Sequence, residues 1–187
     1  GDFWGAPTIR PYAVGTPANS ENLMISEIMY HPAEPSAEEI TAGYEDQDLF
    51  EFIEFVNISE VTIDMSGVGF DAGASFIFPV GMKLAAGARI LVVSDTAAFR
   101  ARYGPALDSF VVGQFQDGTK LANSGERILI VGIDGSPIKE FTYDDKSPWP
   151  EAADGDGFSL VLNSPNGAPD HSLPECWSTG RQGGTPG

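Results

Sequence analysis

Glu51 and Glu54 stand inside the most apolar segment of the chain, Asp48-Leu-Phe-Glu-Phe-Ile-Glu-Phe-Val-Asn57, where a carboxylate needs a reason to be. Phe50, Phe52, Ile53, Phe55 and Val56 read as a strand that anchors a core on both faces of a sheet. Alternation puts Ile53 and Phe55 on one face with Glu51 and Asn57, and Phe52 and Val56 on the other with Glu54. The structural expectation is a glutamate at a sheet rim reaching water, because Glu is almost never fully buried unless paired. The chemical alternative is a carboxylate held for a cation or an arginine.

Glu27 sharpens that alternative. It lies mid-strand in Leu23–Tyr30, the expected neighbour of the Glu51–Asn57 strand, and like charges across a strand pair are destabilising unless something neutralises them. Calcium takes carboxylate and carbonyl oxygens from flexible loops, and Asp154, Asp156 and the acidic loop at Glu45, Asp46 and Asp48 offer such oxygens. Glu27, Glu54, Asp154 and Asp156 are therefore the candidate ligands for a structural Ca2+, with no other cofactor expected. No EF-hand spacing is present. Arg89 or Arg127 would neutralise Glu54 equally well, and an arginine partner is the favoured reading.

A ligand surface is the second candidate. Trp4, Trp149 and Trp177 are the aromatics a carbohydrate-binding face would use, and Trp149 sits rigidly between Pro148 and Pro150. The structural reading is that large aromatics at turns cap the ends of a sandwich core. Catalysis finds little support: there is no Gly-x-Ser-x-Gly, no His-Glu-x-x-His and no phosphate-cradling glycine loop before a lysine. His31 and His171 are too few for a His-rich metal site, and each adjoins a turn-forming residue. The single Cys176 cannot form an intramolecular disulfide.

Composition bounds the remaining choices. With 27 acidic against 10 basic residues the net charge is −17, so the average surface repels a phosphate backbone and neither nucleic acid nor an anionic membrane is an expected partner. No apolar run approaches the roughly 20 residues needed to span a bilayer as a helix. The start Gly1-Asp-Phe-Trp4, without Met, suggests a piece of something longer with flanking domains. The 187 residues suit one domain, and 22 Gly and 14 Pro between short apolar runs are the punctuation of an all-β fold.

The elements that must position these groups follow from periodicity. Residues 1–21 read as an extended arm, partly packed on the domain through Phe3, Trp4, Ile9 and Tyr12. Strands are expected at Leu23–Tyr30, Asp48–Asn57, within Ile58–Ser66, at Ser75–Pro79, Arg89–Ser94, Ser109–Phe115, Arg127–Ile133, Ile138–Tyr143 and Phe158–Leu162, with Asp134-Gly135 turning a hairpin. Ser94 or Asp95 caps one short helix, Thr96–Tyr103, whose Phe99 and Tyr103 face the sheet. Ser36 to Gly43 fits either one or two helical turns with a capping box at Ser36 and Glu39, or a loop insertion. Residues 164–187 read as a Gly- and Pro-rich tail tied down by Leu173, Cys176 and Trp177. The sum is an antiparallel β-sandwich over residues 22–163, with a closed barrel as the alternative.

The order of several short motifs resembles one family. Ser26-Glu-Ile-Met-Tyr-His-Pro32, Glu51-Phe-Ile-Glu-Phe-Val-Asn57, Met65-Ser-Gly67, Phe78-Pro-Val-Gly81, Leu84-Ala-Ala-Gly87, Leu121-Ala-Asn-Ser-Gly-Glu126, Trp149-Pro150, Asp156-Gly-Phe-Ser-Leu160 and Gly183-Gly-Thr-Pro-Gly187 are similar to the series found in lamin-tail domains. The resemblance implies an immunoglobulin-like sandwich. It is closer to the bacterial type than to the nuclear lamins, because no heptad rod is present. That type implies a non-catalytic accessory module for adhesion, targeting or spacing, in a larger secreted or cell-surface protein. Its implied partner is a protein or a cell-surface glycan.

Overall fold

Alternation along the Glu51–Asn57 stretch decides the layering. The structure, a computed structural model, describes residues 15–187, so Trp4 and most of the expected N-terminal arm lie outside the described residues. Its strands are β1 (Thr16–Pro17), β2 (Leu23–Met29), β3 (Phe52–Asn57), β4 (Ile63–Asp64), β5 (Gly69–Ala72), β6 (Lys83–Leu84), β7 (Arg89–Val93), β8 (Val111–Gln114), β9 (Glu126–Val131), β10 (Pro137–Tyr143), β11 (Phe158–Leu162) and β12 (Trp177–Gln182). Two α-helices join them, α1 (Ala37–Thr41) and α2 (Thr96–Tyr103). One layer is a six-stranded sheet in the order β12-β11-β2-β3-β7-β8, and two three-stranded sheets, β10-β9-β5 and β1-β4-β6, face it. Ile53 and Phe55 point between the layers into the main core, where Ile63, Leu84, Ile128, Ile130 and Phe141 meet them. Burying a side chain of this size stabilises the fold by about 1.5–3 kcal/mol.

Phe52 points the other way. On the outer face of the large sheet it packs with Met29, Leu91 and Val93 under Phe99 of α2, while Tyr103, Leu107 and Phe110 close the rim. The rings of Phe99 and Tyr103 both meet Phe52 edge-on, at 5.9 and 5.8 Å between centroids. The helix begins where expected, with the Asp95 carboxylate accepting from the N–H groups of Ala97 and Ala98. It is the crossover that lets β8 return parallel to β7, so the sandwich is antiparallel at every strand pair except β7–β8 and β1–β4. The helical alternative for the acidic segment is the one adopted. Ser36 and Glu39 form the capping box of α1, and Glu39 also grips Arg102 of α2 through Nε (2.8 Å) and Nη2 (2.9 Å), whose guanidinium lies 3.4 Å over the Phe50 ring.

Two expectations shift. Ser75–Pro79 makes only a bridge, Gly69 to Ile77, because Pro79 has no N–H to extend a ladder, and β5 takes the strand role beside it. The segment 164–187 is not only a tail: its β12 pairs with β11 and forms the edge of the large sheet. Only Trp177 among the β12 residues is buried, and an edge strand of this kind lacks the apolar alternation that would have revealed it.

Candidate functional site

The outer face carries two buried carboxylates side by side. A bulge in β2 pairs Ile25 with Phe55 and Glu27 with Glu54, leaving Ser26 as the extra residue. The bulge frees the Ser26 hydroxyl to donate to Glu54 Oε1 at 2.6 Å. It is held from behind by His171, whose Nε2 accepts from the Ile25 N–H at 3.2 Å while Nδ1 faces the Pro169 carbonyl at 3.2 Å. Burial pushes His171 down to about 4, so it is neutral at pH 7, which suits an acceptor at Nε2 and a donor at Nδ1.

Glu54 is 1% exposed and Glu27 2%. The rim expectation fails for both glutamates of the opening stretch, and at Glu54 partners make the burial tolerable. Arg89, on β7, donates from Nη1 to Glu54 Oε1, and the N–H of Gly187 donates to Oε2 at 2.7 Å. The arginine alternative is thus the one realised at Glu54, by Arg89, while Arg127 pairs with Glu140. Glu27 has no arginine. Its Oε1 accepts from Ser159 Oγ (2.6 Å) and the Thr185 N–H (2.7 Å), and its Oε2 from Thr185 Oγ1 (2.8 Å). Burial raises its pKa, with the neighbouring Glu54 charge adding a little, and the bonds from Ser159 and Thr185 pull the other way.

Glu51, three residues before Glu54, meets a different environment. It is fully buried, accepts one bond at Oε2 from the Leu121 N–H (2.9 Å), and leaves Oε1 without a partner. Burial pushes it up to about 9, so it is neutral at pH 7. Two acids of the acidic loop are held by a cation of the protein itself: Lys120 Nζ reaches Asp46 (2.6 Å) and Asp48 (2.9 Å).

A family model supplies the decisive likeness: that of the Lamin Tail Domain matches residues 16–143. The chain belongs to the lamin tail domain family. The family is one of non-enzymatic, immunoglobulin-like modules. No curated protein matches the chain. Within this lamin tail domain β11 and β12 lie beyond the matched span, yet β11 sits between β2 and β12 in the same sheet.

The four candidate calcium ligands are not brought together in this lamin tail domain. Glu27 and Glu54 are neighbours, but Asp154 pairs instead with His31 (2.6 Å), and Asp156 engages Gln182 through its backbone carbonyl. Among the described residues no three His, Cys, Asp or Glu side chains gather as a metal site would need. The exposed aromatic strip also fails. Trp149 and Trp177 are buried, their ring centroids 6.1 Å apart, and Trp177 stacks on Phe141 while its Nε1–H donates to the His171 carbonyl (2.9 Å). The aromatics cap the end of the core, because covering a sandwich end buries more apolar area than presenting rings to water. Cys176 is a half-buried free thiol. No described helix is long and apolar enough to cross a membrane.

Periodicity did not single out Ser26, Ser159 or Thr185. A bulge, a lone serine in an apolar strand and a hydroxyl in a glycine-rich run carry no periodic signal, although each falls inside a motif of the lamin-tail series.

Proposed function

We propose that this lamin tail domain is a non-catalytic accessory module of a larger secreted or cell-surface bacterial protein, where it serves adhesion or targeting beside flanking domains. The observation that carries the reading is the fate of its acids. Glu54 is engaged by Arg89, Glu27 by Ser159 and Thr185, Glu39 by Arg102, and Asp46 and Asp48 by Lys120. Carboxylates so engaged hold elements together, and their oxygens are taken up by partners of the fold rather than offered to a substrate proton. The burial of Trp149 and Trp177 disfavours a glycan-stacking face and favours a protein partner. The net charge of −17 would steer association toward a basic surface on that partner.

The test is saturable binding of the fluorescently labelled domain to intact bacterial cells, before and after protease or periodate treatment of the cell surface. The expected result is binding that weakens with added salt, is lost after protease and survives periodate. Absence of saturable binding, or turnover of ester, phosphate or glycoside substrates by the domain alone, would contradict the reading.

A further inference from the structure

Residues 183–187 lie across the outer face of the large sheet in the manner of a bound peptide. The Gly183 N–H donates to the Gly157 carbonyl at 2.6 Å. Thr185 presents its N–H and its hydroxyl to the two oxygens of Glu27, and Gly187 presents its N–H to Glu54. Between them Pro186 has no N–H to satisfy, so every strap amide from 185 onward either meets a carboxylate or does not exist. Position 184 admits only glycine: φ is +79°, and a Cβ would fall 2.9 Å from both Glu27 Oε1 and Phe52 Cζ.

The groove thus reads three main-chain amides, one hydroxyl and one missing side chain, all of which belong to the Gly-Gly-Thr-Pro-Gly sequence itself. The strap is attached to its own sheet by the edge strand β12 and by two consecutive glycines with φ of +85° and +79°, residues without a Cβ to restrict rotation that an exchange would use as its hinge. Next to Gly187 a cavity of about 290 Å3, lined by Ser26, Arg89, Val161 and Pro165, leaves open space beside the seated strap.

We propose that the Glu27–Glu54 groove is a peptide-recognition site for the Gly-Gly-Thr-Pro-Gly segment and accepts it from a second copy of this chain as well as from its own. Two copies exchange straps about a twofold axis, each strap making in trans the bonds it makes in cis. The tethered strap competes at an effective concentration of about 1 mM, so exchange becomes prominent where copies are crowded or the hinge opens. The inference does not depend on the accessory role, since it concerns binding between copies whatever the parent protein does.

Complementation between two full-length variants tests it. Gly184→Val blocks the strap and leaves the groove intact, whereas Glu27→Gln spoils the groove and leaves the strap intact. Each alone sediments as a monomer, and an equimolar mixture forms a one-to-one complex. In parallel, a synthetic peptide of residues 180–187 is titrated into isotope-labelled Gly184→Val protein. Saturable shifts at Gly157, Glu27 and Glu54 are expected, and a peptide with Thr185→Val binds about tenfold more weakly through loss of the hydroxyl's hydrogen bond to Glu27. If Gly184→Val does not fold, Thr185→Val replaces it in both arms. A mixture that stays monomeric, with no peptide shifts at about 10 mM, well above the effective concentration of the tether, would overturn the proposal and leave the strap an internal brace.

Discussion

Glu51, just before β3, and Glu54, within it, are three residues apart and both buried, and the fold treats them in opposite ways. Glu54 faces outward toward Arg89, Ser26 and the Gly187 amide, donors that meet both of its oxygens. Glu51 faces the turn at Leu121, receives one amide, and has Asp48 and Glu126 as anionic neighbours, countered in part by Lys120. One buried carboxylate is supported by partners and the other by a proton. The difference teaches that burial alone does not say what a glutamate is for: the count and charge of the donors decide its protonation state.

The largest effect is expected from removing the outer partner. Arg89→Ala leaves Glu54 buried without its cation and costs about 3 kcal/mol in urea denaturation, the low end for breaking a buried pair because Arg89 itself is 35% exposed. Next comes Gly184→Ala, which collides with Glu27 and Phe52 and costs about 1–2 kcal/mol at its left-handed φ. Faster hydrogen exchange at Thr185 and Gly187, with the core amides unchanged, would localise that loss to the strap.

Lys120→Ala, which unties Asp46 and Asp48 on a half-exposed surface, should cost less than about 1 kcal/mol and be masked by salt. The smallest effect at pH 6 belongs to Glu51→Gln, yet its pH dependence is the sharpest test of the contrast. With Glu51 raised from 4.5 to about 9, the folded state holds a proton that the unfolded chain releases, so this group's contribution to stability is full below 4.5 and is lost as pH rises toward 9. Glu51→Gln should therefore flatten the decline of the melting temperature on the alkaline side. An unchanged slope would mean that burial does not hold the proton on Glu51.

His171 acts in the other direction. Lowered from 6.5 to about 4, it stays neutral in the folded state while the unfolded chain takes up a proton, so stability falls as pH drops through that window. The two groups together place their combined contribution to stability at its greatest on the mildly acidic side of neutrality.

Much of this fold was legible in the sequence because its signals are local. The capping box at Ser36 and Glu39, the Asp134-Gly135 hairpin, the Asp95-capped helix and the Phe52/Phe55 alternation are each written within a few residues. The site was half legible. The sequence singled out Glu27 and Glu54 as neighbours and offered Arg89 as a partner, because strand pairing and charge are visible in one dimension. The strap was not, since its contacts join residues 27 and 54 to residues 185 and 187 and depend on a bulge at Ser26 that no periodicity announces. The choice between the two readings of Trp149 and Trp177 was not legible for the same reason: prolines on either side of Trp149 suggest rigidity, but only packing against β10 and β12 decides whether a rigid ring faces water or caps the core.

The placement of β11 has a consequence in time. Its residues, 158–162, are made some 130 positions after their partners on β2, and they fill an interior place in the large sheet rather than an edge. During synthesis β2 can pair with β3 early but must leave its other side unpaired until β11 has cleared the ribosome. Non-local closure of this kind is slow and leaves an unpaired strand edge that invites association while it lasts. The bonds from Thr185 and Gly187 to the two glutamates join residues made still later to that same β2–β3 pair, so they too wait on the far end of the described chain.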